Sequence, residues 1–222
     1  RVDTKFLTTE KKLVEILTLI SSEYNVLDIE NKRLMKYSTL YFDSNDKILY
    51  KHHHNKKGNR HKIRMRKYVD SNICFLEVKK KNNTGFTNKF RCPIDNFETK
   101  LSPSSLKFIK KYSDSSQILH PVLSNTFSRF TLVNKNVPER VTIDTRIVFK
   151  SNNVSKILDK IVVIEVKQEK GKENTAIYKA LKTCKISNVS FSKYCIGISN
   201  LIPSIKSNQF KEINLKLNKL HN

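Results

Sequence analysis

Lys62, Arg64 and Arg66 occupy every second position of one segment, with Ile63 and Met65 between them. In an extended chain this alternation puts three cations on one face and the apolar residues on the other. The pattern recurs. Phe75, Glu77 and Lys79 share a face against Leu76 and Val78, and Lys89 and Arg91 share another. Arg140, Thr142, Asp144 and Arg146 stand against Val141, Ile143, Ile147 and Phe149, and Val163, Glu165 and Lys167 against Val162, Ile164 and Val166. A guanidinium offers a planar fork that matches phosphate oxygens, and an ammonium adds a point charge. Several such groups around one channel suit a row of phosphates, and a neighbouring carboxylate suits a divalent cation bridging phosphate oxygens. Phosphoryl chemistry needs mainly positioning and charge neutralisation, so no protein nucleophile is required. The bland alternative is a sheet with one solvated face. Alternation alone weighs the two evenly.

Other chemistries have less support. With only 4 glycines, no glycine-rich phosphate loop occurs, so phosphate would have to be held by side chains. The four cysteines, Cys74, Cys92, Cys184 and Cys195, form neither a C-x-x-C pair nor a zinc spacing. They read as reduced packing residues of a cytosolic protein. No convincing Ser/His/Asp or Cys/His set is present. The formal charge of +23, from 43 Lys+Arg against 20 Asp+Glu, is self-repelling and would be relieved by a polyanion. Scattered lysines in a Lys/Asn/Ile-rich chain need no functional cause, but arginines gathered on strand faces do.

These side chains have to be positioned by strands. Val2–Leu7, Met35–Asp43, His61–Val69, Cys74–Lys81, Phe86–Pro93, Pro121–Val133, Glu139–Lys150 and Lys160–Glu169 read as strands. Helices are expected from Thr8 or Thr9 to Ser21, over Phe97–Tyr112, over Glu173–Cys184, and over Ser192–Leu201 capped by Ser190 or Ser192. Lys51–Arg60, with His52, His53 and His54, reads as a loop or hairpin whose histidines face solvent. The expected fold class is α+β: an antiparallel β-barrel tunnel of about eight strands, with a polar, basic interior and helices outside. Residues 1–203 form the expected domain, and residues 204–222 a basic tail or surface helix.

The chain also carries R-V-D-T-K-F from Arg1 to Phe6, L-Y-F-D-S from Leu40 to Ser44 and N-R-H-K-I-R-M-R-K-Y from Asn59 to Tyr68. L-E-V-K at Leu76, S-R-F at Ser128, R-V-T-I-D at Arg140, V-I-E-V-K at Val163 and F-S-K-Y-C-I-G at Phe191 follow. In this order the segments resemble the VTC domain of polyphosphate polymerases, within the triphosphate tunnel metalloenzyme superfamily. The resemblance implies an ATP–polyphosphate phosphotransferase dependent on manganese or magnesium, with ATP and inorganic polyphosphate as its partners. It implies roles for Arg64, Arg66, Lys79, Arg129 and Arg140 as the catalytic cations. Lys5, Lys62 and Lys193 would bind phosphate, with Arg60 and Lys167 added to them, and Glu165 would hold the metal.

Related tunnel triphosphatases and cyclases carry E-x-E-x-K in the first strand. Here the stretch is Arg1-Val2-Asp3-Thr4-Lys5, which favours the polymerase branch over the hydrolytic one. Plainer roles stay open for several residues: Lys193 as an exposed lysine, Glu165 as partner to Lys167 or Arg140, Arg146 as partner to Asp144, and Glu77 as a balance for Lys79 and Arg64. Nucleic acid is not expected as a partner. The expected location is the cytoplasm, or its membrane face through an anchored partner or a further anchor segment. Replacing Arg64 and Arg66 together is expected to abolish synthesis and leave the fold intact.

Overall fold

The alternating segments form strands, as the charge pattern requires. The computed structural model describes residues 2–113, 117–171 and 174–221. Arg1 and Glu173, where the sequence places the start of a motif and of a helix, lie outside them. In chain order the elements are β1 (Val2–Thr9), α1 (Glu10–Ile20), β2 (Tyr24–Val26), β3 (Met35–Asp43), α2 (Ile48–His54), β4 (Arg60–Tyr68), β5 (Ile73–Lys81) and β6 (Thr87–Ile94). Then come α3 (Pro103–Tyr112), β7 (His120–Asn134), β8 (Arg140–Ser151), β9 (Val154–Leu158), β10 (Ile161–Gln168), α4 (Ala176–Thr183), α5 (Lys193–Leu201), a 3-10 turn (Asn208–Phe210) and α6 (Lys211–His221).

All pairings are antiparallel, in the order β1-β10-β8-β7-β3-β4-β5-β6, with β2 on β7 and β9 on β8. The two ends of the path, β1 and β6, are not paired with each other. The barrel is therefore a curled sheet rather than a hydrogen-bonded ring. Its wall still surrounds one space, because Lys5 of β1 and Thr87 of β6 line the same cavity.

The helices cover the sheet's apolar sides. The Thr9 hydroxyl accepts the backbone N–H of Lys12 and so starts α1, which buries Leu13, Ile16 and Ile20. These pack with Val141, Ile143, Val162 and Ile164 and with Ile177 and Leu181 of α4. Each such fully buried side chain is worth about 1.5–3 kcal/mol. On β4 and β5, Ile63, Met65, Leu76 and Val78 form a second outward cluster with Ile109 of α3. That helix is shorter than the sequence suggests. Pro103 can only occupy a helix's first turn, and the Ser102 hydroxyl caps it.

Two further departures have local causes. The histidine segment is a helix, not a loop. Asp43 and Ser44, several residues upstream, supply acceptors for the backbone N–H groups of Ile48, Leu49 and Tyr50, and this capping nucleates α2. In β8, Arg146 has φ of +52°, and the β7–β8 register slips between Thr126 and Ser128. This bulge reverses the alternation. Val141 and Ile143 pack towards α1 and α4, whereas Ile147 and Phe149 join a third cluster with Tyr194, Cys195 and Ile198 of α5. Unbroken alternation would put all four of these β8 residues on one face. α5 thus lies on the side of the sheet that carries Asp144. Gly197 permits that approach, since a Cβ there would stand 2.6 Å from Leu123 and 2.9 Å from Phe149. The last helix, α6, buries Ile213 and Leu217 against the same cluster.

Candidate functional site

The inner wall is cationic, and its acids are spoken for. Arg64 and Glu77 face each other across β4 and β5. The guanidinium donates to the fully buried carboxylate from Nε at 2.7 Å and Nη2 at 2.5 Å. Lys89 of β6 reaches the other oxygen at 2.6 Å. Burial alone would raise the Glu77 carboxyl, but Arg64 and Arg66 outweigh it and hold it down at about 2. Across β7 and β8, Arg129 grips Asp144 with Nε at 2.5 Å and Nη2 at 2.8 Å, and Lys193, from the first turn of α5, donates to the same carboxylate. Burial disfavours the Asp144 charge, yet Lys193 and Arg129 keep it far below the usual carboxylate range.

Among the described residues, three other cations show no such acidic partner. Arg66 hydrogen-bonds Thr39 at 3.3 Å rather than an acid. Burial first, and then Arg64, pull its guanidinium down to about 10. Lys79 is driven well below its ordinary value, by Arg64 above all and then by burial and Arg66. Lys62 donates to the Ser192 hydroxyl at 3.0 Å, and burial lowers it to about 8. These groups carry charge at a cost that a bound anion would remove.

Two aromatic rings sit among the cations. Tyr37 and Phe127 stack with centroids 5.0 Å apart and planes 2° from parallel. Arg66 lies 5.7 Å from both centroids, Arg129 5.4 and 5.3 Å from them, and Lys193 4.4 Å from that of Phe127. The ring faces help to hold these like charges close together, with Asp144 shared by Arg129 and Lys193.

A cavity of about 1120 Å³ runs from this wall outward. Lys5, Arg60, Lys62, Lys79 and Glu165 line it, with Cys195, Ser192 and residues of α6. Lys5 donates to the Phe191 carbonyl at 2.9 Å and faces Glu165 across β1 and β10. Glu165 accepts from Lys167, which also reaches Asp3 at 3.0 Å. Burial opposes the Glu165 charge, but Lys5 and Lys167 bring its carboxyl down to about 2.

The residues singled out from sequence therefore divide. Arg64, Arg66, Lys79, Arg129, Lys193, Lys5, Lys62, Lys167 and Glu165 converge on the interior. Arg60 stands at the cavity's edge and donates to the Lys57 carbonyl at 2.6 Å. Arg140 is exposed at the start of β8, opposite Lys167, and outside the paired cluster. Glu77 balances Arg64, as left open for it, but its second partner is Lys89 rather than Lys79. Arg146 is exposed on its bulge, and Asp144 pairs with Arg129 and Lys193 instead. The histidines are not uniformly at the surface either. His54 is buried between Asn55 and Asn208, and burial depresses His53 to about 2. Sequence alone does not pick out Tyr37 and Phe127. Their signal, aromatic residues on strands that also carry cations, is visible only once β3 and β7 are known to pair.

Among the described residues, no three His, Cys, Asp or Glu side chains converge as a metal cage. Asp3 and Glu165, both held by Lys167, nonetheless fit the modest protein share of a magnesium or manganese site. Such ions take one or two carboxylates and complete their shell with water and phosphate oxygens.

A curled antiparallel sheet enclosing a cation-lined cavity defines a triphosphate-tunnel domain. The VTC domain family model matches residues 1–202, and the chain belongs to that family. Solved structures agree on the fold. A proposed adenylate cyclase from Bacillus halodurans is 15% identical, with 86% of this chain and 92% of that one covered and a TM-score of 0.56. A proposed adenylyl cyclase from Hippeastrum, described as revealing a dominant triphosphatase activity, is 14% identical, with 90% and 96% covered and a TM-score of 0.55. No curated protein matches the chain.

Proposed function

We propose that this domain is a polyphosphate polymerase, transferring the terminal phosphoryl group of ATP to a phosphate chain. The observation that supports it is the surplus of disfavoured cations, Lys79 and Lys62 lining the cavity and Arg66 on the same strand face as Lys62, in a wall whose acids are already paired. An extended polyanion satisfies them together. In this reading Arg66, Lys79, Lys62 and Lys5 bind the triphosphate, and Arg64 and Arg129, fixed by Glu77 and Asp144, orient it. Transfer breaks the bond between the γ-phosphorus and its bridging oxygen, which leaves with ADP, and forms one to the terminal oxygen of the acceptor chain. Lysines and arginines neutralise the charge that builds on the leaving oxygen. A divalent ion held by Glu165 and Asp3 would supply further charge neutralisation at the phosphate oxygens.

The family resemblance supports the polymerase branch, as does Asp3 standing alone in a strand where hydrolytic relatives carry paired glutamates. The second reading, a triphosphatase, is favoured by the Hippeastrum neighbour's described activity. A non-catalytic polyphosphate-binding module is the third. Nucleic acid suits the site poorly, because its cations sit on the inner face of the curled sheet and several of them are buried. No described helix is long and apolar enough to cross a membrane; an anchored partner or a flanking segment is the membrane link we propose.

Incubation of the chain with ATP and manganese distinguishes the readings. A polyphosphate ladder with matching ADP is expected. Free phosphate without chains would move the assignment to the triphosphatase. Neither product, with tight tripolyphosphate binding retained, would leave the binding module.

A further inference from the structure

Asp43 is wholly buried, outside the cation cluster, and accepts more hydrogen bonds than a helix cap needs. Its Oδ1 accepts the backbone N–H groups of Ser44 at 2.7 Å and Leu49 at 2.9 Å. Its Oδ2 accepts that of Tyr50 at 2.9 Å and also the Tyr194 hydroxyl. The first three contacts explain α2. The fourth reaches a different element, 151 residues away in sequence.

Tyr194 lies in the first turn of α5, and that turn touches the cationic wall at three places. The neighbouring Lys193 donates to Asp144. The Ser192 hydroxyl accepts from Lys62 at 3.0 Å and from the backbone N–H of Cys195 at 3.3 Å. The Phe191 carbonyl accepts from Lys5. These contacts join cations from β1 and β4 to the Arg129–Asp144 pair of β7 and β8. The Tyr194 ring is buried against Tyr41 and Tyr50, so packing sets its place and the hydroxyl sets the turn's depth. Burial, reinforced by Asp43, keeps that hydroxyl protonated and donating.

We propose that Asp43 and Tyr194 are positioning residues for phosphate binding: their hydrogen bond fixes the first turn of α5 so that Lys193, Ser192 and the Phe191 carbonyl hold the wall's cations in register. This rests on the cavity being a phosphate site. Neither residue touches substrate in this assignment. Their effect passes through Lys193 and Lys62.

The test is a double-mutant cycle on tripolyphosphate affinity, measured by calorimetry on the full chain. It uses Tyr194→Phe, Lys193→Met and the two combined, with Ile109→Ala under α3 as a control for general destabilisation. Tyr194→Phe removes one hydroxyl and keeps the packing, which avoids the loss of α2 that Asp43→Asn risks. It is expected to weaken binding about tenfold. The double variant is expected to be no weaker than Lys193→Met alone, because coupled residues are not additive. The fall in affinity above about pH 8, expected from Lys62, is expected to flatten in Tyr194→Phe and to persist in Ile109→Ala. Wild-type affinity in Tyr194→Phe, or additive losses in the cycle, overturns the positioning role alone. Absence of tripolyphosphate binding by the wild-type chain overturns the phosphate reading and this proposal with it.

Discussion

Arg64 and Arg66 look equivalent in the sequence, two basic residues on one strand face, but their surroundings separate them. Arg64 donates twice to the fully buried Glu77, so Arg64→Ala leaves that carboxylate with Lys89 alone and is expected to cost up to about 3–5 kcal/mol of stability. The expectation that both arginines can be removed with the fold intact is therefore revised for Arg64. Arg66→Met is the cleaner probe. It is expected to change stability by less than about 1 kcal/mol, while weakening tripolyphosphate at least about tenfold. Equal destabilisation by the two variants in urea titrations would contradict this division. Lys62 makes a second prediction. It loses its proton near pH 8 in the folded chain, against an ordinary value of 10.5 for a lysine exposed to water. Between those values the unfolded chain holds more protons, so the ligand-free protein gains stability as pH rises. Lys62→Met should flatten that rise in denaturation midpoints taken across the range. Glu77 and Glu165 act at the other end, and their contribution is lost as pH falls from about 4.5 towards 2. Residue types and spacing made Lys62, Arg64, Arg66, Lys79 and Glu165 legible in the sequence. Which cation has an acid and which has none was not, because Glu77 and Asp144 find their partners across strands.

At the scale of elements, alternation locates the strands well and fails where the backbone breaks its own period. The bulge at Arg146 adds one residue to β8 and turns Ile147 and Phe149 towards α5. An uninterrupted apolar alternation gives no sign of it, since a non-glycine residue in the left-handed region is rarely foreseen. The α2 helix escapes a sequence reading for a related reason: its caps, Asp43 and Ser44, belong to the preceding strand and turn. Gly197 shows the opposite case, a residue whose meaning depends on packing. Gly197→Ala gains helix propensity of about 1 kcal/mol, but the added methyl meets Leu123 and Phe149, both buried. Overpacking of this kind costs about 1–3 kcal/mol. The variant is expected to lower the denaturation midpoint and to weaken tripolyphosphate binding together, because the shift of α5 carries Lys193 with it.

For the whole molecule, a wall of disfavoured cations couples ligand binding to stability. Tripolyphosphate at 100 times its dissociation constant is expected to add about 2.7 kcal/mol, or about 5–10 °C in thermal midpoint for a chain of this size. Sulfate at equal ionic strength should give much less, and an equal shift would mean unspecific screening of the +23 charge. The strand order has a consequence for how the chain is made. The first strand, β1, pairs with β10, so that Lys5 meets Glu165, and its other edge is met by Asn188 and Val189. Each of these partners is synthesised more than 150 residues after β1. While the chain emerges from a ribosome, Val2–Thr9 has neither neighbour. Assembly from β3 to β8 can precede it, but the wall bearing Lys5 and Glu165 forms last. Chains interrupted before residue 161 would keep most of their strands and lack that wall. If the cavity is a phosphate site, binding there has to wait for β10 to be made, which leaves β1 the segment longest without its partners during synthesis.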